Sequence, residues 1–130
     1  MNIKAVHQDN SPLIDLETMK TAVVDAIEDI KGFDINVMDV CKLTSVTNYM
    51  IVASANSTRQ CKAIADNVRE KMKEKGFNIR GTEGEKEGEW VLVDLDDIVV
   101  HVMVPATRAY YNLEQLWSEG EVRRAAFKAA

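Results

Sequence analysis

Two neighbouring runs, Trp90 to Leu95 and Ile98 to Val104, are separated only by Asp96-Asp97, and they constrain the fold more than any other feature. Successive side chains in an extended chain point to opposite faces. In the second run Ile98, Val100, Val102 and Val104 take one face, and Val99, His101 and Met103 take the other. In the first, Val91, Val93 and Leu95 oppose Trp90, Leu92 and Asp94. The pair reads as a hairpin that is apolar on both sides, so the sheet it belongs to needs helical cover on two faces.

The rest of the chain supplies helices of the right kind. Ser11 and Pro12 offer a helix start, and Leu16, Met19, Val23, Ile27 and Ile30 follow at helical spacing. Gly32 offers a stop. Ile35 to Val40 and Asn48 to Ala55 read as strands, antiparallel because the loop between them is short. Ser57 to Gln60 has the form of a capping box, ahead of a stripe of Cys61, Ile64, Ala65, Val68 and Met72 that ends at Gly76.

Phe77 to Arg80 reads as a short strand, reached from Asn48–Ala55 by a parallel, right-handed crossover. Gly81 to Glu89 reads as an acidic loop. Pro105 opens a third helix, with Ala109, Tyr110, Leu113, Leu116 and Trp117 on one side. Ser118 to Glu121 has the form of another capping box, opening a short helix through Phe127. The expected architecture is α/β: one domain with a mixed five-stranded sheet and packed helices. Residues 1–10 are expected to be a flexible N-terminus, 11–117 the domain, and 118–130 a C-terminal helical tail.

Three helices are few for two faces of five strands. Trp90, Leu92 and Met103 are therefore candidates for an apolar patch left open to a partner, since such patches mark interaction sites. Cover by the third helix or the tail is the competing expectation. Charge is segregated beside Trp90. Residues 82–97 hold seven acids and one base, a net of 1 − 7 = −6, against 16 − 21 = −5 for the whole 130-residue chain. An acidic rim of this kind steers a basic partner and disfavours one gripped through its phosphates. The opposite bias, +3 over residues 59–75, offers an RNA-binding face, but Asp66, Glu70 and Glu74 intersperse it.

Signals for chemistry are thin. Cys41 and Cys61 form no disulfide framework and read as buried thiols in a reducing, cytoplasmic setting. No run reaches the ~20 apolar residues of a membrane helix. His7 and His101 lie in unrelated settings, no metal-ligand spacing occurs, and no glycine loop cradles phosphate. No catalytic, cofactor or metal site is expected. Asp94 and Asp96 are the one arrangement that a metal-dependent nucleotidyltransferase would want, and this is the alternative reading. Asp96 lies at the turn, which breaks the alternation such a pair needs.

A family resemblance rests on Glu83-Gly84, Glu89-Trp90-Val91-Leu92-Val93-Asp94, Val99-Val100-His101-Val102 and the run Arg108 to Trp117. Asp39-Val40, Thr47-Asn48-Tyr49, Ser57-Thr58-Arg59 and Ala63-Ile64-Ala65-Asp66 add to it. The chain resembles the ribosomal silencing factor, or Iojap-related, family over about Leu16 to Trp117. Ala55, Gln60, Asn48 and the tail depart from the pattern. The resemblance implies a nucleotidyltransferase-like fold without its catalytic equipment. It implies binding to the large ribosomal subunit through ribosomal protein fourteen, which obstructs small-subunit joining and lowers translation when nutrients are scarce. It also implies a role in large-subunit assembly, and leaves room for neighbouring ribosomal RNA contacts and for a homodimer when free. Glu83, Trp90, Leu92, Asp94, His101, Met103, Arg108 and Tyr110 are the expected partner-binding residues. Within that set Glu83 and Asp94 steer, His101 orders the surface, and Arg108 and Tyr110 hold or extend it.

Overall fold

The computed structural model describes residues 15–117. The N-terminus and the C-terminal tail lie outside the described residues, and α1 starts at Leu16 behind an extended Asp15 cap rather than at the expected Ser11-Pro12. The elements are α1 (Leu16–Asp29), β1 (Phe33–Asp39), β2 (Tyr49–Ser54), α2 (Thr58–Glu74), β3 (Gly81–Glu83), β4 (Trp90–Asp94), β5 (Ile98–Met103) and α3 (Pro105–Tyr111).

Local chemistry explains the helix ends. Asp15 caps α1, its carboxylate accepting from the Thr18 amide at 2.8 Å. At the other end Lys31, at φ 68°, takes the left-handed position that Gly32 was expected to fill. The Gly32 amide reaches the Ile27 carbonyl and the Lys31 amide reaches that of Glu28, a Schellman arrangement. Gly32 is needed for a different reason: a Cβ there would overlap the Ile27 side chain. Ser57 caps α2 as expected, accepting from the Gln60 amide at 3.1 Å. The Gln60 side chain accepts from Asn56 and donates to the carbonyls of Ile30 and Lys31, tying the end of α1 to the start of α2.

The sheet is mixed, with order β1-β2-β5-β4-β3. β1 and β2 are antiparallel, as are the β4–β5 hairpin and the β3–β4 pair. The parallel pair is β2 with β5. β3 also runs parallel to β2, but two strands lie between them, so the crossover through α2 joins non-neighbours. The ladder strand is Gly81–Glu83 rather than Phe77–Arg80. Phe77 and Ile79 pack against the core without joining the ladder, and so mimic a strand in sequence. Asp96, at φ 74°, closes the hairpin turn.

α1 and α2 cover one face over β2, β4 and β5, while Val37 on the edge strand β1 stays exposed on that face. Met19, Val23, Ala26 and Ile27 meet Cys61, Ile64, Ala65, Val68 and Met72 over Ile51, Ala53, Val91, Val93, Val100 and Val102. All these side chains are buried. Cys61 belongs to this core, and burial pushes its thiol up to about 11. Cys41 was expected to be buried too, but it is exposed in the turn after β1, where its amide donates to Asp39.

Candidate interaction surface

The second face of the sheet is built from three cross-strand rows. Residues that pair across a ladder share a face. Glu83, Leu92, His101, Val52 and Asn36 form one row. Trp90, Met103 and Ser54 form the second, and Asp94, Val99, Met50 and Met38 the third. The structure thus brings six of the eight expected partner-binding residues onto one surface. The other two, Arg108 and Tyr110, lie on α3, which follows β5 directly.

Cover on this face is uneven. Val40, Met50, Val52 and Met103 form a small second core, against which Met38, Leu43, Trp90, Leu113 and Trp117 pack. It lies over β1, β2 and β5. Met103, expected among the open anchors, is fully buried, because Leu113 and Trp117 return to the sheet above this cluster. Over β4 and its neighbours, Trp90, Leu92, Asp94 and Val99 keep partial exposure. Residues 105–117 therefore close one side and, among the described residues, leave the other partly exposed; the expected cover by the tail lies outside the described residues.

The third helix does not run as one stripe. Asn112, at φ 48°, ends α3, and helical backbone resumes over 113–117 in a new direction. Asn tolerates this left-handed conformation better than most residues. The break turns Leu113 and Trp117 inward, while Tyr110 and Leu116 stay 82% and 51% exposed. No residue of α3 itself is buried.

The aromatic side chains form a connected group. Tyr111 packs tilted on Trp90 with ring centroids 4.8 Å apart, and Tyr110 meets Tyr111 edge-on at 5.0 Å. The Trp90 indole N–H donates to His101 Nδ1 at 2.9 Å. That bond requires an unprotonated Nδ1, so the neutral ring carries its proton on Nε2. Nε2 is buried without a partner, and burial pushes His101 down to about 4. His101 thus orders Trp90 from below rather than facing solvent.

Acids frame the open side. Glu83, Glu85, Glu87 and Glu89 are exposed. Gly84, at φ 83°, lets the acidic segment turn tightly against Trp90, where any Cβ would overlap the Trp90 carbonyl. Part of the charge is already matched: Glu85 pairs with Arg69 at 2.8 Å and Asp96 with Arg80 at 2.8 Å. Asp94 accepts from the Asp96 amide at 2.9 Å. The two carboxylates of the alternative catalytic reading thus serve a turn and an ion pair. Arg69, the centre of the basic stretch, also pairs with Asp66, so that stretch is part of a mixed-charge face.

Arg108 is anchored inside the protein. Its Nε and Nη2 donate to the two carboxylate oxygens of Glu114, each at 2.9 Å. Nη1 donates to the Asp34 carbonyl at 2.6 Å and to Ser54 Oγ at 2.8 Å. Asn36 donates to Glu114 at 2.7 Å. The Arg108 hydrogen bonds hold the Glu114 carboxyl below the usual range against the opposing effect of burial, and Asn36 adds to this. Tyr111, Leu113, Glu114 and Trp117 were absent from the expected site residues. Asn112 was the available signal, because its left-handed preference redirects everything after Tyr111.

The sheet is covered by two helices on one side and presents an acid-rimmed aromatic patch on the other, a kind of surface that often marks interaction sites. The family model for "Ribosomal silencing factor during starvation" matches residues 14–129. A Chromobacterium violaceum protein named "Ribosomal silencing factor RsfS" is 51% identical over 104 residues, covering 80% of this chain and 85% of that one. A crystal structure from the same organism superposes with a TM-score of 0.79 at 50% identity, covering 81% of this chain and 88% of that chain. Mouse "Mitochondrial assembly of ribosomal large subunit protein 1" is 32% identical over 88 residues, 65% of this chain and 39% of its own length. The chain belongs to the ribosomal silencing factor family. No described helix is long and apolar enough to cross a membrane.

Proposed function

We propose that this protein binds the large ribosomal subunit through ribosomal protein fourteen and obstructs joining of the small subunit. Translation is thereby lowered when nutrients are scarce. The action is steric and needs no catalysis, so the nucleotidyltransferase-like layout serves as a scaffold. A cytoplasmic site of action, a part in large-subunit assembly, neighbouring ribosomal RNA contacts and a homodimer when free belong to the same reading. The name of the mouse relative, which concerns assembly of a large subunit, supports the choice of subunit.

The observation that carries the proposal is the open half of the second face. Trp90, packed at a tilt against Tyr111 and oriented by His101, stands beside Leu92 and the exposed acids of residues 83–89. Aromatic side chains of this kind anchor interfaces, and the acidic rim steers basic partners such as ribosomal proteins. Co-sedimentation with purified large subunits and a subunit-joining assay test it. Trp90→Ala is expected to weaken binding by at least ~2 kcal/mol, roughly thirtyfold, and to relieve the block on joining. Unchanged co-sedimentation of the variant would remove Trp90 from the interface.

A further inference from the structure

We propose that Arg108 is a positioning residue: with Glu114 it forms a clasp that sets the aromatic docking face from behind, without touching the partner. The proposal rests on the docking face described above and adds how that face is held. Three observations carry it. α3 has only seven residues and buries none of them, so its length and the partly exposed Tyr111–Trp90 contact give it little hold of its own. The Arg108 side chain is only 14% exposed, and its guanidinium makes four hydrogen bonds, to Glu114, Asp34 and Ser54. The two Nη1 bonds cross from α3 to β1 and β2, and Asn36 of β1 donates to the same Glu114 oxygen that accepts from Nη2.

The backbone is shaped to receive the clasp. The β1–β2 register shifts between Phe33 and Asn36, and Asp34 there adopts φ 51°. This bulge presents the Asp34 carbonyl to Arg108. The bidentate fork fixes distance and orientation together, which a lysine could not do. Residues 108 and 114 thereby close a short loop that contains Tyr110 and Tyr111, and Tyr111 packs on Trp90. Opening the clasp frees the loop and leaves a half-buried charge unpaired.

The chain has only two tryptophans, Trp90 and Trp117, and both pack on the second core, so their fluorescence reports on this face alone. The test measures acrylamide quenching and thermal melting of the free protein, and co-sedimentation with purified large subunits. It compares Arg108→Met, Glu114→Gln, the double variant and Arg108→Lys. Each single variant is expected to raise quenching, to keep its far-UV spectrum, and to weaken binding about tenfold. The double variant is expected to bind no worse than the weaker single, because both changes open one clasp. Arg108→Lys, with the charge but not the fork, is expected to fall between. Normal binding by Glu114→Gln alongside loss in Arg108→Met would overturn the proposal, since Arg108 would then contact the partner itself. Unchanged quenching in both single variants would overturn it as well. Failure of the parental chain to bind would refute the docking reading, and quenching would still decide the clasp.

Discussion

The two faces of one sheet are built on different principles. On the first, α1 and α2 lay long apolar stripes over β2, β4 and β5, and the packing is dominated by buried aliphatic groups, with Gln60 and Asn67 adding hydrogen bonds between the helices. On the second, a smaller apolar cluster is supplemented by an arginine clasp, an indole–imidazole bond and exposed rings. Hydrophobic burial is strong but non-directional. Hydrogen bonds and bidentate ion pairs contribute less net stability but specify geometry. The helix-covered face supplies stability and the half-open face supplies shape, which the proposed docking role would need.

The contrast can be broken where the effects are largest, in the closed face. Ile64→Ala removes a fully buried side chain between α1 and the sheet and is expected to cost about 2–5 kcal/mol of unfolding free energy. Denaturant titration reads that loss. Binding by the remaining folded protein is expected to stay normal, and selective loss of binding would show that the faces are coupled.

The second face offers a smaller effect with a pH signature. His101 titrates at about 4 when folded and near 6.5 when unfolded. Between those values the unfolded chain binds more protons, so stability falls as pH falls. The loss between pH 7 and pH 5 is expected to be about 2 kcal/mol, levelling off below about pH 4. Glu114, depressed below its ordinary value, adds its loss only at lower pH. His101→Gln removes the step between pH 7 and 5. An unchanged slope in that variant would assign the step to another group.

The smallest expected effect on stability sharpens the comparison most. Leu92 lies in the same row as His101 but on the open side, partly exposed. Leu92→Ser is expected to change stability by about 1 kcal/mol or less and to weaken large-subunit binding by more than about fivefold. A melting loss as large as that of Ile64→Ala would mean that Leu92 is core rather than interface.

What was legible in the sequence divides along the same line. α1, α2, the Ser57 cap and the β4–β5 hairpin follow from periodicity and turn chemistry within a few residues, and the structure contains all of them. The two-sided apolar pattern of the hairpin also announced that a second face existed. Its finish was not readable, because it depends on long-range partners. Arg108 meets Ser54, Asp34 and Glu114, which are 54, 74 and 6 residues away. Six residues along a continuous helix would place Arg108 and Glu114 on different sides, and only the Asn112 break brings them together. Met103 has the same pattern as Leu92 in sequence. Its burial comes from Trp117 and Leu113, which a local reading assigned to the same helical side as exposed Tyr110.

The parallel β2–β5 pair at the centre of the sheet carries a consequence for how the chain comes into being. Tyr49 aligns with Ile98 and Ser54 with Met103, so the middle ladder joins segments 49 residues apart. A chain synthesised from its N-terminus can form the β1–β2 hairpin and α2 early, but Ile51 and Ala53 gain their β5 neighbours, Val100 and Val102, only once that strand has been made. Non-local closures of this kind are slow and leave strand edges bare while they wait. A nascent copy cut short before Ile98 would therefore be left with half a sheet and an uncovered edge.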